Sequence, residues 1–169
     1  MAKNLILLGM MGVGKSTIGK ILAKKLKFKL FDTDKLIEKK NLMTISEIFE
    51  KEGEDFFRDE EEKIVMGCLN GRNKIISLGG GAFINKKIRN TVLLSGVSFF
   101  LDINLKTLCL RLEKNKKRPL LIGKDLKKNL SNILESRQAI YKLANHKINC
   151  NNLKPYEIAD QIINRYEKH

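Results

Sequence analysis

Proline is almost missing from this 169-residue chain, which has only Pro119 and Pro155. A proline-rich linker is therefore excluded. With no internal repeat or low-complexity segment, residues 1–169 read as one domain, large enough for a real core. Long apolar runs are also missing. None approaches the roughly 20 residues that cross a bilayer, so no membrane partner is expected. After Lys3 only five apolar or near-apolar residues precede a glycine loop. That is no secretory leader, and the expected compartment is the cytoplasm. Cysteine is scarce. Cys68, Cys109 and Cys150 are far apart, and neither His146 nor His169 stands at a metal-ligand spacing from them. This excludes a disulfide framework and a Cys/His metal site, and the three read as small buried hydrophobes. Acidic residues are outnumbered, 19 against 33 basic, for a net charge of +14. Yet no aromatic residues interleave with Lys24, Lys25, Lys39, Lys40, Lys127 and Lys128. A stacking platform for single-stranded nucleic acid is not built that way, and no nucleic-acid partner is expected. The charge reads as a solvated lysine surface whose field draws in anionic ligands.

What is present is a phosphate loop. Gly9-Met-Met-Gly-Val-Gly-Lys-Ser-Thr17 fits G-x-x-x-x-G-K-[S/T] at Gly9, Gly14, Lys15 and Ser16. An apolar, strand-like run, Asn4 to Leu8, precedes it. A helical pattern follows from Thr17 to Leu26, with Ile18, Ile21, Leu22 and Leu26 on one face. Glycines let consecutive N–H groups curl around a phosphate, and the helix N-terminus adds positive potential. The motif implies that Lys15 reaches the β- and γ-phosphates and that the Ser16 hydroxyl ligates Mg²⁺.

Further strands are expected at 28–31, 74–78, 97–101 and 147–150, with about 40 helical residues between the second and third. Thr44-Ile-Ser-Glu47 is a capping box, so a helix should start there. Strands alternating with helices imply an α/β fold, a parallel sheet with helices on both faces. Sites in such sheets lie at the carboxyl ends of the strands.

Polar residues sit at those ends. After the second strand, Asp32-Thr-Asp34 offers one carboxylate for a Mg²⁺ shell, through water, and one to deprotonate a substrate hydroxyl. Either Asp32 or Thr33 could instead cap a helix beginning near Lys35. Gly79-Gly-Gly81 after the third strand permits close approach of a ligand. Asp102, ending the fourth, is a rival Mg²⁺-supporting carboxylate or an N-cap. Arginine is scarcer than lysine, and Arg58, Arg118 and Arg137 stand out because a guanidinium fork binds carboxylate or phosphate at two points.

Together these segments resemble the shikimate kinases, which are phosphate-loop kinases of small metabolites. The likeness runs over nearly the whole chain. It rests on the phosphate loop, Phe31-Asp-Thr-Asp34, Phe57-Arg-Asp-Glu-Glu61, Gly79-Gly-Gly-Ala82, Arg111 with Arg118-Pro-Leu-Leu121, and Ser136-Arg-Gln-Ala-Ile-Tyr141. The resemblance implies a single-domain P-loop NTPase fold like that of nucleoside monophosphate kinases. Its five parallel strands would run in the order 2-3-1-4-5. It implies transfer of a phosphoryl group from ATP to the 3-hydroxyl of shikimate by a monomer that needs Mg²⁺.

By the same resemblance Asp34 is the base, and Arg58 and Arg137 hold the shikimate carboxylate. Gly79, Gly80 and Gly81 lie against the ring, Phe49 and Phe57 wall it, and Glu61 orients Arg58. Asp32 supports the Mg²⁺ water shell beside Ser16. Lys15 and Arg118 meet the transferring phosphate. Gly12, Val13, Gly14, Lys15, Ser16 and Thr17 hold ATP, and Arg111 packs on the adenine. The segment of about 113–124 is a mobile lid, and helices of about 33–61 bind the substrate. Two departures stand out. Leu78 occupies a place where the family often has a small hydroxyl residue, and the turn Asn149 to Pro155 lacks an aspartate common there. The alternatives are a gluconate or nucleoside monophosphate kinase of the same architecture, or a nucleotide switch. A guanine-reading switch would need Asn-Lys-x-Asp, but Asn115-Lys-Lys-Arg118 ends in arginine.

Overall fold

In a computed structural model the described residues are 3–113 and 126–169. They form a five-stranded sheet in the order β2-β3-β1-β4-β5, with every neighbouring pair parallel. The strands are β1 (Asn4–Leu8), β2 (Lys29–Asp32), β3 (Lys74–Ser77), β4 (Gly96–Asp102) and β5 (His146–Asn149). The helices are α1 (Lys15–Leu26), α2 (Thr33–Asn41), α3 (Ile45–Lys51), α4 (Gly53–Leu69), α5 (Lys86–Ser95), α6 (Leu105–Glu113), α7 (Leu126–Tyr141) and α8 (Pro155–Tyr166). A 3-10 turn, Ala82–Ile84, follows the triple glycine.

Every residue of β1 is buried, as is every residue of β4 before Asp102, because helices cover both faces of a parallel sheet. Asn4 and Ser98 are polar residues in that core, and the Asn4 amide is hydrogen-bonded through both its nitrogen and its oxygen. Nδ2 donates to the Leu69 and Gly71 carbonyls at 3.1 and 2.9 Å, and Oδ1 accepts from the Lys74 amide at 3.1 Å. It thereby clamps the entry of β3 beside β1. Ile18 and Leu22 of α1 are buried on the sheet, and Ile21 and Leu26 flank them, as the helical spacing requires. The three cysteines are free and buried. Burial pushes the Cys150 thiol up to about 12, so it stays neutral.

The expected strands are all present, the first with the expected bounds and the others within a residue at either end. The second runs 29–32 rather than 28–31, because the ladder to β3 pairs Asp32 with Ser77. The fifth begins at His146, which pairs with Phe99. Helix α2 starts at Thr33 rather than near Lys35, capped by Asp32, whose Oδ1 accepts from the Lys35 amide at 3.4 Å. Thr44 and Glu47 form the expected capping box at α3. Asp102 does not cap α6. Asn104 does, its Oδ1 accepting from the Thr107 amide at 2.8 Å, while Asp102 pairs with Lys147 Nζ at 2.8 Å. Leu78 is 1% exposed in the core, and its N–H donates to the Leu7 carbonyl at 3.0 Å.

Helices α2, α3 and α4 enclose a second, smaller core of Ile37, Ile48 and Phe57, separate from the sheet core. The substrate-binding helices expected at about 33–61 coincide with this unit. Among the described residues no helix is long and apolar enough to cross a membrane.

Candidate active site

The phosphate loop leaves β1 at Leu8 and enters α1 at Lys15. Gly14 is the N-cap of α1 in a left-handed conformation, φ 104°, which lets the loop close onto the helix. Lys15 Nζ donates to the carbonyls of Gly9 and Met10 at 2.8 and 2.9 Å, which holds the ammonium over the loop. Ser16 Oγ donates to Asp32 Oδ2 at 2.5 Å. Asp32 therefore serves both ends at once, with one oxygen capping α2 and the other facing the loop hydroxyl.

Thr33 fixes the neighbouring strand end. It is fully buried, its hydroxyl donates to the Ser77 carbonyl at 3.2 Å, and it accepts from the Gly79 amide at 2.9 Å. This stitch sets Asp34 beside the triple glycine. A Cβ added at Gly79 would overlap Asp34 Oδ1 and stand 3.0 Å from Glu61 Oε1. One at Gly81 would be 2.7 Å from Arg58 Nη1, and one at Gly80 would be 3.6 Å from Arg137 Nη1. Three consecutive residues without side chains thus admit Asp34 from α2, Arg58 and Glu61 from α4, and Arg137 from α7. The phosphate loop adjoins them, since the same Gly80 position lies 3.5 Å from the Met11 amide nitrogen.

Arg58 is held on two sides. Nη1 donates to Glu61 Oε2 at 2.8 Å, while Nε and Nη2 donate to Glu54 Oε1 at 3.2 and 3.1 Å. The Glu61 side chain is 3% exposed, that of Glu54 64%. Burial pushes the Glu61 carboxyl above its ordinary value. Arg58 opposes that shift, Asp34 adds to it, and Arg137 opposes it. Phe49 and Phe57 pack at a 36° tilt with centroids 4.7 Å apart, and the Arg58 guanidinium lies 5.1 Å from the centre of the Phe57 ring. They form an aromatic wall beside the arginine.

A cleft of about 230 Å³ opens on the other side of the loop, lined by Gly14, Thr17, Arg111, Leu153, Pro155 and Ile158, among others. Arg111 Nη1 donates to the Val13 carbonyl at 3.0 Å, so the guanidinium is fixed over the loop. Arg118 and the segment expected as a lid, all but Glu113, lie outside the described residues.

The arrangement offers a phosphate loop and, one strand away, a carboxylate and two guanidinium groups converging on one glycine turn. Comparison with known proteins agrees. The family model for shikimate kinase matches residues 11–167. Relatives called shikimate kinase include one from Sulfurihydrogenibium sp. (strain YO3AOP1), 40% identical over 98% of this chain and 99% of its own. Another, from Bacillus subtilis (strain 168), is 40% identical over 95% of this chain and 87% of its own. The structure of shikimate kinase from Acinetobacter baumannii in complex with shikimate superposes with a TM-score of 0.93. It is 30% identical and covers 99% of this chain and 94% of that one.

The chain belongs to the shikimate kinase family.

A gluconokinase from Sinorhizobium meliloti 1021, at 16% identity and TM-score 0.69, shares the fold alone. The sequence reading marked the turn Asn149 to Pro155 without assigning Leu153 or Pro155, and it did not name Ile158, because these apolar cleft residues carry no chemical mark. It also missed Glu54, although an acid four residues before Arg58 on one helix is a readable signal. Thr33 was considered only as a cap, and Tyr141 had no role.

Proposed function

We propose that this protein transfers the γ-phosphoryl group of ATP to the 3-hydroxyl of shikimate, giving shikimate 3-phosphate and ADP, as a cytoplasmic enzyme acting as a monomer. The observation that carries this reading is the convergence of Asp34, Arg58 and Arg137 on Gly79–Gly81 beside the phosphate loop. A hydroxylated ring acid needs that combination, with cations for its carboxylate and a base for its hydroxyl.

Asp34 accepts the proton of the attacking hydroxyl and fixes the oxygen in line. Arg58 and Arg137 grip the carboxylate at the far side of the ring, Glu61 holds Arg58 in place, and Phe49 and Phe57 wall the pocket. Gly79, Gly80 and Gly81 lie against the ring. An acceptor without the carboxylate would forgo the two-point contacts that the guanidinium groups offer, and this penalises it. Lys15, the amides of Gly12, Val13, Gly14, Ser16 and Thr17, and Arg118 spread around the charge that develops on the phosphoryl oxygens. Arg111, Leu153, Pro155 and Ile158 receive the base. The segment 113–124 acts as the lid that excludes water.

The residues present fit Mg²⁺. Ser16 Oγ and Asp32 Oδ2 are hard oxygen donors 2.5 Å apart. A hydroxyl plus one carboxylate reached through water, with phosphate oxygens completing the shell, is how this ion is usually held. Among the described residues no cluster of three His, Cys, Asp or Glu offers an all-protein cage, which suits an ion that arrives with its nucleotide. Mg²⁺ bound there supplies charge neutralisation at the β- and γ-phosphates.

The test is ADP release with a panel of acceptors. Shikimate should support turnover, and gluconate and nucleoside monophosphates should not. Asp34→Asn should cut kcat by about 10²–10⁴-fold with the fold intact. Equal turnover on gluconate, or near-normal turnover by Asp34→Asn, overturns the assignment.

A further inference from the structure

Behind the triple glycine lies a tyrosine that this chemistry does not use. Tyr141 is fully buried, and its ring packs on Phe100 of β4 with centroids 5.1 Å apart. It ends α7 one turn after Arg137, so the two side chains lie on the same face of that helix. Its hydroxyl donates to the Gly80 carbonyl at 2.5 Å and lies 3.9 Å from Met10 Sδ in the phosphate loop. Gly80 is also where Arg137 approaches the turn. The guanidinium acts on the tyrosyl oxygen too. Burial holds that hydroxyl above its ordinary pKa, while the charge of Arg137 and a hydrogen bond from it pull the other way.

A phenolic oxygen has one proton to give and lone pairs left to receive. Here the proton goes to the Gly80 carbonyl, and the Arg137 guanidinium, from the same face of α7, approaches that same glycine. A phenyl ring would fill the same space without placing a polar atom in the core. The hydroxyl therefore does something the ring does not.

We propose that Tyr141 is a positioning residue for Arg137: clamped on the Gly80 carbonyl, its hydroxyl fixes the direction from which the guanidinium meets the substrate carboxylate. The inference rests on the kinase reading above. Without the hydroxyl, Arg137 loses an acceptor on the protein side and samples more rotamers, so the cost falls on acid binding. The ring, which anchors α7 on β4, stays.

The test is Tyr141→Phe, alone and combined with Arg137→Ala, with KM, kcat and thermal midpoint measured for each. The single variant should raise KM for shikimate by roughly five- to tenfold, within the range of an ordinary net hydrogen bond. Its KM for ATP and its kcat should stay within about twofold. In the Arg137→Ala background the same change should add almost nothing, because the residue it acts through is gone. Equal effects in both backgrounds, or a parallel rise for both substrates, would mean a purely structural role and overturn the inference. The unaltered protein run alongside separates the two ideas. If it forms no shikimate-dependent ADP, the kinase reading fails and takes this inference with it. If it is active while Tyr141→Phe matches it, only the inference fails.

Discussion

Two glycine turns meet at the carboxyl edge of the sheet, and glycine is present in each for a different reason. In the phosphate loop the shared need is a backbone angle, since Gly9, Gly12 and Gly14 all have positive φ, although a Cβ at Gly9 or Gly12 would also crowd Leu101 or Leu112. Gly14 has φ 104°, and a Cβ there would meet nothing closer than Ile18 Cδ1 at 3.8 Å. In the second turn the need is room. Gly81 has an ordinary φ of −96°, but a Cβ there would lie 2.7 Å from Arg58 Nη1. One turn shapes main chain to hold a group that every nucleoside triphosphate carries. The other clears space into which side chains from α2, α4 and α7 reach, and on the proposed function they meet there on a single substrate. General recognition is thus written in local backbone, and specific recognition in tertiary assembly.

The comparison breaks if the two sides are not separable. Lys15→Ala should show the largest effect, a loss of transfer of about 10³-fold, since a charge on the moving phosphoryl group is removed. Shikimate binding measured by calorimetry should be unchanged. If shikimate affinity falls in step with transfer, the division between the turns is wrong. Gly79→Ala comes next. The added methyl displaces Asp34, so kcat should fall roughly 10–100-fold, the order expected from misplacing a catalytic group. KM for ATP should stay near normal. Gly14→Ala should do the reverse. A left-handed alanine costs about 1–2 kcal/mol, so the thermal midpoint should drop by several degrees. KM for ATP should rise with it, while KM for shikimate holds. A Gly14→Ala protein that loses only shikimate affinity would invert the assignment of the two turns.

The same contrast explains what could be read in advance. The phosphate loop was legible because its geometry depends on residues within nine positions of one another, and the glycine spacing encodes it directly. The capping box at Thr44 was legible for the same reason. The triple glycine was visible as an opening, but what enters it was not. Asp34, Arg58 and Arg137 are separated by up to about a hundred residues, and only resemblance to a family grouped them. The pairing of Asp102 with Lys147 depends on two strands lying side by side, so nothing local argued against Asp102 as a helix cap. The turn to Pro155 was visible, but Leu153, Pro155 and Ile158 could not be assigned individually, because an apolar cleft has the same composition as a core.

The smallest expected effect sharpens the acid side. Arg58 gives Nε and Nη2, the edge with two parallel donors, to Glu54 Oε1. A substrate carboxylate would compete for that edge. The Glu54 side chain is 64% exposed, and exposed pairs hold weakly. Glu61, almost fully buried on the other face of the guanidinium, is the firmer anchor. Glu54→Gln removes the competing charge and leaves Glu61 in place. KM for shikimate should therefore fall by about two- to threefold at low salt, with kcat unchanged, and the gain should shrink as salt screens the pair. A rise in KM instead would place Glu54 with Glu61 as a second support for Arg58. The clamp on the acid would then extend to the surface of α4.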